Sequence, residues 1–307
     1  HTRPKPLLHV AGQPIIGHII DQLVPLGVQK IVLVVGYMGE RIVQYVQQRG
    51  VFARVEWVEQ KDMLGLGHAI SLTRDTVGGD PALIVYGDTI FQADLTPLLS
   101  RPAAGIIGVK QVEDPRRFGV VVEARGRVVR LLEKPERFVS DQAIVGVNLI
   151  NDTSLLFGCL QQLISRDVRT RGEYQLTDAL QLMVEEGAAL HTFPVERWFD
   201  CGTQEAMLVT NRHLLHCAPV PEHAENTVIV PPVHIDPTAE VSQSIIGPYV
   251  SIGAGAKVEG AVVRDAIIGE QAEVVDILLE HSLIGFHAVV KGRASRLNVG
   301  DLSEITS

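Results

Sequence analysis

Ala82-Leu83-Ile84-Val85-Tyr86-Gly87-Asp88 is an apolar run rich in strand formers that stops on a glycine and a carboxylate. It reads as a strand over 82–86 with an acid at its carboxyl end. Upstream, Ile15, Ile16, Ile19, Ile20 and Leu23 recur at helical spacing, Gly27 stops that helix, and residues 31–35 form a largely β-branched strand. Residues 39–48 read as a helix, 55–58 as a strand and 66–74 as a helix. Downstream, 105–109, 120–122 and 128–132 read as strands joined by tight turns, 175–186 as a helix, and 195–199 as a late strand ending at Asp200. The alternation predicts an α/β fold with a mostly parallel, doubly wound, Rossmann-like sheet. Such sheets hold ligands beyond the carboxyl ends of their strands, where both Asp88 and Asp200 fall.

After Cys217 the texture changes. Pro219, Pro221, Pro231, Pro232 and Pro237 exclude a long helix, and Ile-Gly pairs then recur at Ile252, Ile268 and Ile284, sixteen residues apart. Apolar residues hold a six-residue spacing at Ile246, Ile252, Val258, then Val262, Ile268, Val274, then Leu278, Ile284, Val290. Ala256, Ala272 and Ala288 each follow an Ile by four positions. Such a period predicts stacked β-helix coils and is similar to the hexapeptide repeat of left-handed β-helices. The chain is therefore expected to divide into a domain over 1–217 and a linker with a short left-handed parallel β-helix over 218–307.

With 307 residues, 46% hydrophobic and 21% charged, the chain has the composition of a globular protein. A formal charge of −9 without a basic block argues against nucleic acid or an anionic membrane as partner. The apolar runs are strand-sized, far short of the roughly 20 residues of a spanning helix. Cys159, Cys201 and Cys217 are unevenly spaced and lack a CxxC pair, which suggests reduced thiols in a cytoplasm. His213 and His216 lie close to Cys217, but the neighbourhood lacks the further ligands that zinc requires.

Two carboxylates at strand ends, Asp88 and Asp200, make a hard oxygen site suited to Mg²⁺, which takes few protein ligands and completes its shell with water and phosphate. Lys5, held extended between Pro4 and Pro6, and Lys134, in Glu133-Lys134-Pro135, are point charges suited to clamping two phosphates. Gln60 precedes the glycine turn Leu64-Gly65-Leu66-Gly67-His68. A glycine turn lets a flat ring approach the backbone, and an amide can both donate and accept at a pyrimidine edge. His68 suits a helix start better than a catalytic role.

Taken in order, Pro4-Lys5-Pro6-Leu7, Tyr86-Gly87-Asp88, Glu133-Lys134-Pro135, Arg171-Gly172-Glu173 with Thr177-Asp178, and Trp198-Phe199-Asp200-Cys201-Gly202-Thr203 resemble the sugar-nucleotide pyrophosphorylases. These are sugar-1-phosphate nucleotidyltransferases, and the likeness is greatest to the glucose-1-phosphate thymidylyltransferase type with a C-terminal left-handed β-helix. The resemblance implies that Lys5 contacts nucleotide phosphates, that Gln60 and Gly65 read the base, and that Asp88 and Asp200 bind Mg²⁺. It also implies that Gly119 offers a backbone contact to the sugar, Glu133 binds sugar hydroxyls and Lys134 binds the sugar phosphate. Gly146, Glu173 and Thr177 would line the sugar pocket, and Arg171 would add positive charge for phosphate. His9 stands where the family commonly has Pro. The family's Gly-rich strand-loop, which precedes Pro-Lys-x-Leu, is not in the sequence, and the natural protein is expected to start earlier.

The implied reaction condenses dTTP with a sugar 1-phosphate, glucose 1-phosphate first, and releases pyrophosphate. Alternatives are UTP as donor with glucose 1-phosphate or N-acetylglucosamine 1-phosphate, an added acetyltransferase on the β-helix with His281 or His287 as base, and a non-catalytic regulatory subunit. A homo-oligomer through the β-helix is expected, because exposed coil faces and edges need covering.

Overall fold

A computed structural model describes residues 3–51, 53–216, 226–292 and 298–306. His1, Thr2, Cys217, Pro219, Pro221 and the expected boundary at 217/218 lie outside the described residues. Contacts gather the chain into two compact units, Ile19–Trp198 and His1–His18 with Phe199–Ser307. Among the described residues no helix is long and apolar enough to cross a membrane. Cys159 and Cys201 are buried thiols outside any disulfide.

The unit Ile19–Trp198 is a Rossmann-like α/β fold organised around the strand Gln142–Ile150, buried at every position after the first. That strand pairs antiparallel with Ala82–Val85, with Gly105–Gln111 and, at Ala143, with Gly119–Ala124. Gly119–Ala124 forms an antiparallel hairpin with Arg127–Glu133, while Leu190–Pro194 runs parallel to Gly105–Gln111. Lys30–Val35 and Arg54–Glu59 make a separate parallel pair. Parallel pairing thus holds for two strand pairs, and the expectation of a mostly parallel sheet fails around the central strand. The cause is connectivity. No α-helix lies between Gly105 and Ile150, and a parallel neighbour needs a crossover of about a dozen residues or more.

Helices Thr153–Ser165 and Leu176–Glu185 cover one face. Leu156, Leu160 and Leu163 of the first and Leu176, Leu180 and Met183 of the second are buried in one cluster with Ile107, Ile144 and Ile150. Each such side chain contributes about 1.5–3 kcal/mol on removal from water. Asp152 caps the first helix by accepting from the Leu155 N–H at 2.9 Å. The helix expected over 66–74 is two pieces, Leu66–Ser71 and Arg74–Val77, parted where the Thr73 hydroxyl donates to the Ile70 carbonyl at 2.8 Å.

Phe199–Ser307 contributes helix Gln204–Leu215 and the β-helix. Val233–Ile235 stacks in parallel on Val250–Ile252, which stacks on Ala266–Ile268 and then Ser282–Ile284. A second face stacks Glu240–Ser242, Lys257–Glu259, Glu273–Val275, Val289–Lys291 and Glu304–Thr306. Ile252, Ile268 and Ile284, Val258, Val274 and Val290, and Ala256, Ala272 and Ala288 all point inward as the repeat requires.

The register differs at one column. Val263 and Leu279 are buried there, whereas Leu278 is 46% exposed and Val262 is half-buried. Ile246 pairs with Val263 and Val263 with Leu279, so six-residue spacing slips by one at the corners where Asp265 and His281 take φ of 46° and 52°. A one-residue slip exchanges the two faces of a strand.

Leu279→Ala is expected to cost about 2–5 kcal/mol, and Glu280→Ala, outward on the same strand, no more than about 0.5 kcal/mol; equal shifts in the urea midpoint would contradict this register. Burial, opposed by Glu270 for His9 and by Asp236 for His234, holds both imidazoles below their ordinary value of 6.5. The unfolded chain therefore binds protons more readily, and the stability these groups contribute is complete above that value and lost as pH falls through their folded values. Melting temperature should drop on acidification, and it should drop less steeply in the double variant His9→Asn/His234→Asn. Identical slopes for the two proteins would refute this assignment.

Candidate active site

Gln60 follows the strand Arg54–Glu59, and its backbone N–H extends the parallel pairing by donating to the Val35 carbonyl at 2.8 Å. Its buried side-chain nitrogen lies 3.1 Å from both the Gly65 carbonyl oxygen and Nδ1 of His68. His68 thus sits in the first turn of Leu66–Ser71 as a partner of Gln60. Gly65 has φ +105°, and a Cβ there would come within 2.7 Å of the Tyr174 carbonyl oxygen and of Glu173 Cβ. Tyr174 in turn donates its N–H to Leu64 and accepts from Gly67, at 2.8 and 2.7 Å. The expected base-reading loop is therefore fixed backbone to backbone on the Arg171–Tyr174 segment.

That segment reaches the second group of residues. Arg171 Nη2 donates to the Lys134 carbonyl at 3.0 Å, and Lys134 Nζ lies 3.5 Å from Glu133 Oε1. Glu133, the last residue of its strand, has a side chain only 9% exposed and accepts from the Thr177 hydroxyl at 2.7 Å. Thr177 comes from the first turn of the helix Leu176–Glu185. Gly119 pairs with Glu133 across the hairpin, and a Cβ on it would fall 2.8 Å from Thr177 Oγ1 and 2.9 Å from Glu133 Oε2. Glu173 Oε2 accepts from Gln175 Nε2 at 3.1 Å. Close approaches and polar contacts link Gln60 to Gly65, Gly65 to Glu173, and Arg171 through Lys134 and Glu133 to Thr177 and Gly119. Asp178, beside Thr177, has a carboxyl pushed up by burial, partly offset by a hydrogen bond from Thr170.

Gly146 has φ +76°, and the central strand shifts register between Ile144 and Asn148. A Cβ at Gly146 would lie 2.3 Å from the Tyr86 ring, and Tyr86 N–H donates to the Gly146 carbonyl at 3.0 Å. Burial, then the charges of Glu133 and Asp88, raise the Tyr86 phenol above its ordinary range. Sequence pattern alone assigns Tyr86 no role, although it opens the Tyr-Gly-Asp triplet; its signal is an aromatic two residues before the strand-end acid. Asp88 lies in the turn just before the strand Thr89–Gln92, with the Thr89 hydroxyl 3.4 Å from Oδ1.

Asp200 and Lys5 belong to the other unit. Asp200 ends the strand Arg197–Asp200 and is exposed, ahead of a helix capped by Thr203, whose hydroxyl accepts from the Ala206 N–H at 3.2 Å. Lys5 opens a 3₁₀ turn, Lys5–Leu7, between extended Pro4 and Leu8. Among the described residues no three His, Cys, Asp or Glu side chains are grouped as a metal cage. A two-carboxylate donor set with phosphate and water fits Mg²⁺, whereas it would not suit structural zinc. On the β-helix, His281 Nδ1 lies 2.5 Å from Asp265 Oδ2 and Nε2 lies 2.8 Å from Arg212, so both ring nitrogens are engaged; the His287 ring packs edge-on to Phe286.

Residues 1–216 match the family described as nucleotidyl transferase. The chain belongs to that family. It is 28% identical to a glucose-1-phosphate thymidylyltransferase of Streptomyces antibioticus, over 99% of this chain and 94% of the relative. It is 33% identical to a bifunctional protein GlmU of Methanococcus maripaludis over 75% of this chain, and spans 54% of that relative. The crystal structure of a UDP-glucose pyrophosphorylase complexed with UDP-glucose matches in fold at a TM-score of 0.57, with 20% identity, 69% of this chain and 90% of that one covered. The protein is a nucleotidyltransferase of the Rossmann-like fold with a short left-handed β-helix.

Thr177→Val removes the donor to a nearly buried carboxylate. It is expected to cost about 1.5–3 kcal/mol and to raise the Michaelis constant for the sugar phosphate, while Thr177→Ser restores both. A Val variant with wild-type stability and kinetics would show that Glu133 does not depend on this bond.

Proposed function

We propose that the enzyme condenses dTTP with glucose 1-phosphate to give the nucleotide sugar and pyrophosphate, with UTP as the second donor to be weighed. The observation that carries this reading is a run of contacts: the Gln60–Gly65 loop, suited to a pyrimidine, rests on the Arg171–Tyr174 segment, and Arg171 donates to Lys134 beside Glu133, a lysine and a carboxylate suited to a sugar phosphate. Alignment with the thymidylyltransferase over nearly the whole of both chains supports dTTP. Thymine and uracil differ by one methyl, worth only about 1–3 kcal/mol in a pocket, so the UTP arm belongs in the assay.

In this reading a sugar-phosphate oxygen attacks the α-phosphorus in line. A new P–O bond forms as the bond to the β-phosphate oxygen breaks, and pyrophosphate leaves with that electron pair. Two polyanions repel, so the chain's work is to align them and neutralise charge. Lys134 and Arg171 hold the sugar phosphate, Glu133 accepts from sugar hydroxyls with Thr177 fixing its orientation, and Gly119, Gly146 and Glu173 shape the pocket. Gln60 and Gly65 read the base, and Lys5 binds the nucleotide phosphates. Asp88 and Asp200 would hold Mg²⁺, which when bound supplies further positive charge to the phosphates. Residues 1–217 then serve as the transferase and 218–307 as the β-helix domain.

The β-helix also supports a homo-oligomer. Val228, Ile245, Val262 and Leu278 pair in sequence across successive coils and form an outward apolar column, with Val228 58% exposed. Such a column favours self-association, and Leu278→Asp should reduce the mass measured by light scattering.

Pyrophosphate release by the full-length protein, screened with five nucleoside triphosphates against several hexose 1-phosphates, is expected to be greatest with dTTP and glucose 1-phosphate. Asp88→Asn and Asp200→Asn should each lower turnover by orders of magnitude without lowering the melting temperature. Preference for a purine nucleotide would overturn the base assignment, and a near-normal rate in either Asn variant would remove that acid from the metal site.

A further inference from the structure

The segment that carries Lys5 is held, inside its own compact unit, by successive coils of the β-helix. Gly12, at φ +92°, lies against the His234 ring so closely that a Cβ would sit 2.4 Å from Nε2. The Ala11 N–H donates to Asn211 Oδ1 at 2.9 Å, and the same oxygen accepts from the Ser251 hydroxyl at 2.6 Å. One coil further, Glu270 meets the segment with both carboxylate oxygens. Arg3 Nη2 donates to Oε2 at 2.5 Å, and His9 Nε2 lies 3.3 Å from Oε1. The Arg3 guanidinium also stacks 4.1 Å over the Phe286 ring of the following coil. Between Arg3 and His9 lies the Lys5–Leu7 turn, closed by Leu7 N–H to the Pro4 carbonyl and Leu8 N–H to that of Lys5, at 2.9 and 3.0 Å.

One carboxylate thus grips the chain on both sides of the turn that presents Lys5. The side chains of Arg3 and Glu270 are only 19% and 25% exposed, so their charge-assisted bond is weakly screened. Pro4 and Pro6 remove backbone freedom in between, so the position of Lys5 follows from where Arg3 and His9 are held.

We infer that Glu270, with Phe286, is a positioning element for Lys5, and that the β-helix takes part in binding the nucleotide phosphates by fixing the Arg3–His9 segment. This rests on the role of Lys5 in the proposed reaction. A lysine displaced by about 1 Å can lose about a hundredfold in rate. The effect should be confined to the nucleotide, since Lys5 acts in the proposed reaction on the nucleotide phosphates alone.

The test compares Glu270→Gln, Phe286→Leu and Arg3→Gln with a β-helix control, Glu273→Gln, whose partner is Lys291 on a different face. The three clamp variants are expected to lower kcat/KM for dTTP about ten- to a hundredfold, leave KM for glucose 1-phosphate within about twofold, and speed hydrogen exchange at the Lys5, Leu7 and Leu8 amides. In a Lys5→Met background Glu270→Gln should add no further loss, because both act through one group. Losses that multiply, or exchange unchanged in a folded Glu270→Gln protein, would overturn the proposal. Should Glu270→Gln fail to fold, Arg3→Gln decides by the same readouts, as it alters no residue of the β-helix. A wild-type protein that releases no pyrophosphate would instead defeat the functional reading, and the exchange experiment would still judge the clamp.

Discussion

Gly119 faces Thr177 Oγ1 and Glu133 Oε2 with no room for a methyl group between them, and Gly65 and Gly146 meet their neighbours just as closely. These three approaches fix the backbone around the residues proposed to bind substrate. At Gly119 a hairpin strand and a helix start converge on one carboxylate. At Gly65 a loop locks onto the Arg171–Tyr174 segment, and at Gly146 the central strand makes way for the Tyr86 ring. Two of the three have positive φ, a conformation that L side chains rarely adopt. The hydrogen bond from Thr177 then fixes Glu133 in one orientation, so that a carboxylate at the mouth of a strand is aimed before any ligand arrives.

The second unit rests on a different constraint. Its parallel coils bury stacked aliphatic residues on each face, and the ladder leaves little freedom along the stack. A rigid stack is a good anchor for a short, proline-bounded segment that would otherwise wander. The same framework explains the engagement of His281 by Asp265 and Arg212, which ties the helix Gln204–Leu215 to two coil corners. That histidine serves cohesion, with both of its ring nitrogens facing charged partners.

Much of this was legible in the residues because local chemistry was strong. The helix Gly39–Gln48 carries a clean amphipathic period, the strand-end acids follow β-branched runs, and the Ile and Ala columns of the β-helix repeat without interruption. Less legible was the central strand Gln142–Ile150, buried on both faces and broken by Gly146 and Asn148, so that it shows no alternation. Its antiparallel sense is set by connections lacking a helix, a fact of topology that no strand carries in itself. The inward column at Val263 and Leu279 escaped because Asp265 and His281 turn the chain at coil corners through positive φ, which six-residue spacing does not register. Within the site, the acids, lysines and glycines stood out by type; the Tyr86 packing and the Glu270 grip did not, since each depends on segments far apart in sequence.

A crystal structure of the protein with glucose 1-phosphate bound tests the central claim most directly. The account predicts sugar hydroxyls within hydrogen-bond distance of Glu133, the phosphate on Lys134, and the Gly119 backbone against the ring. A ligand seated elsewhere, with the Glu133–Thr177 bond intact and the pocket empty, would contradict it.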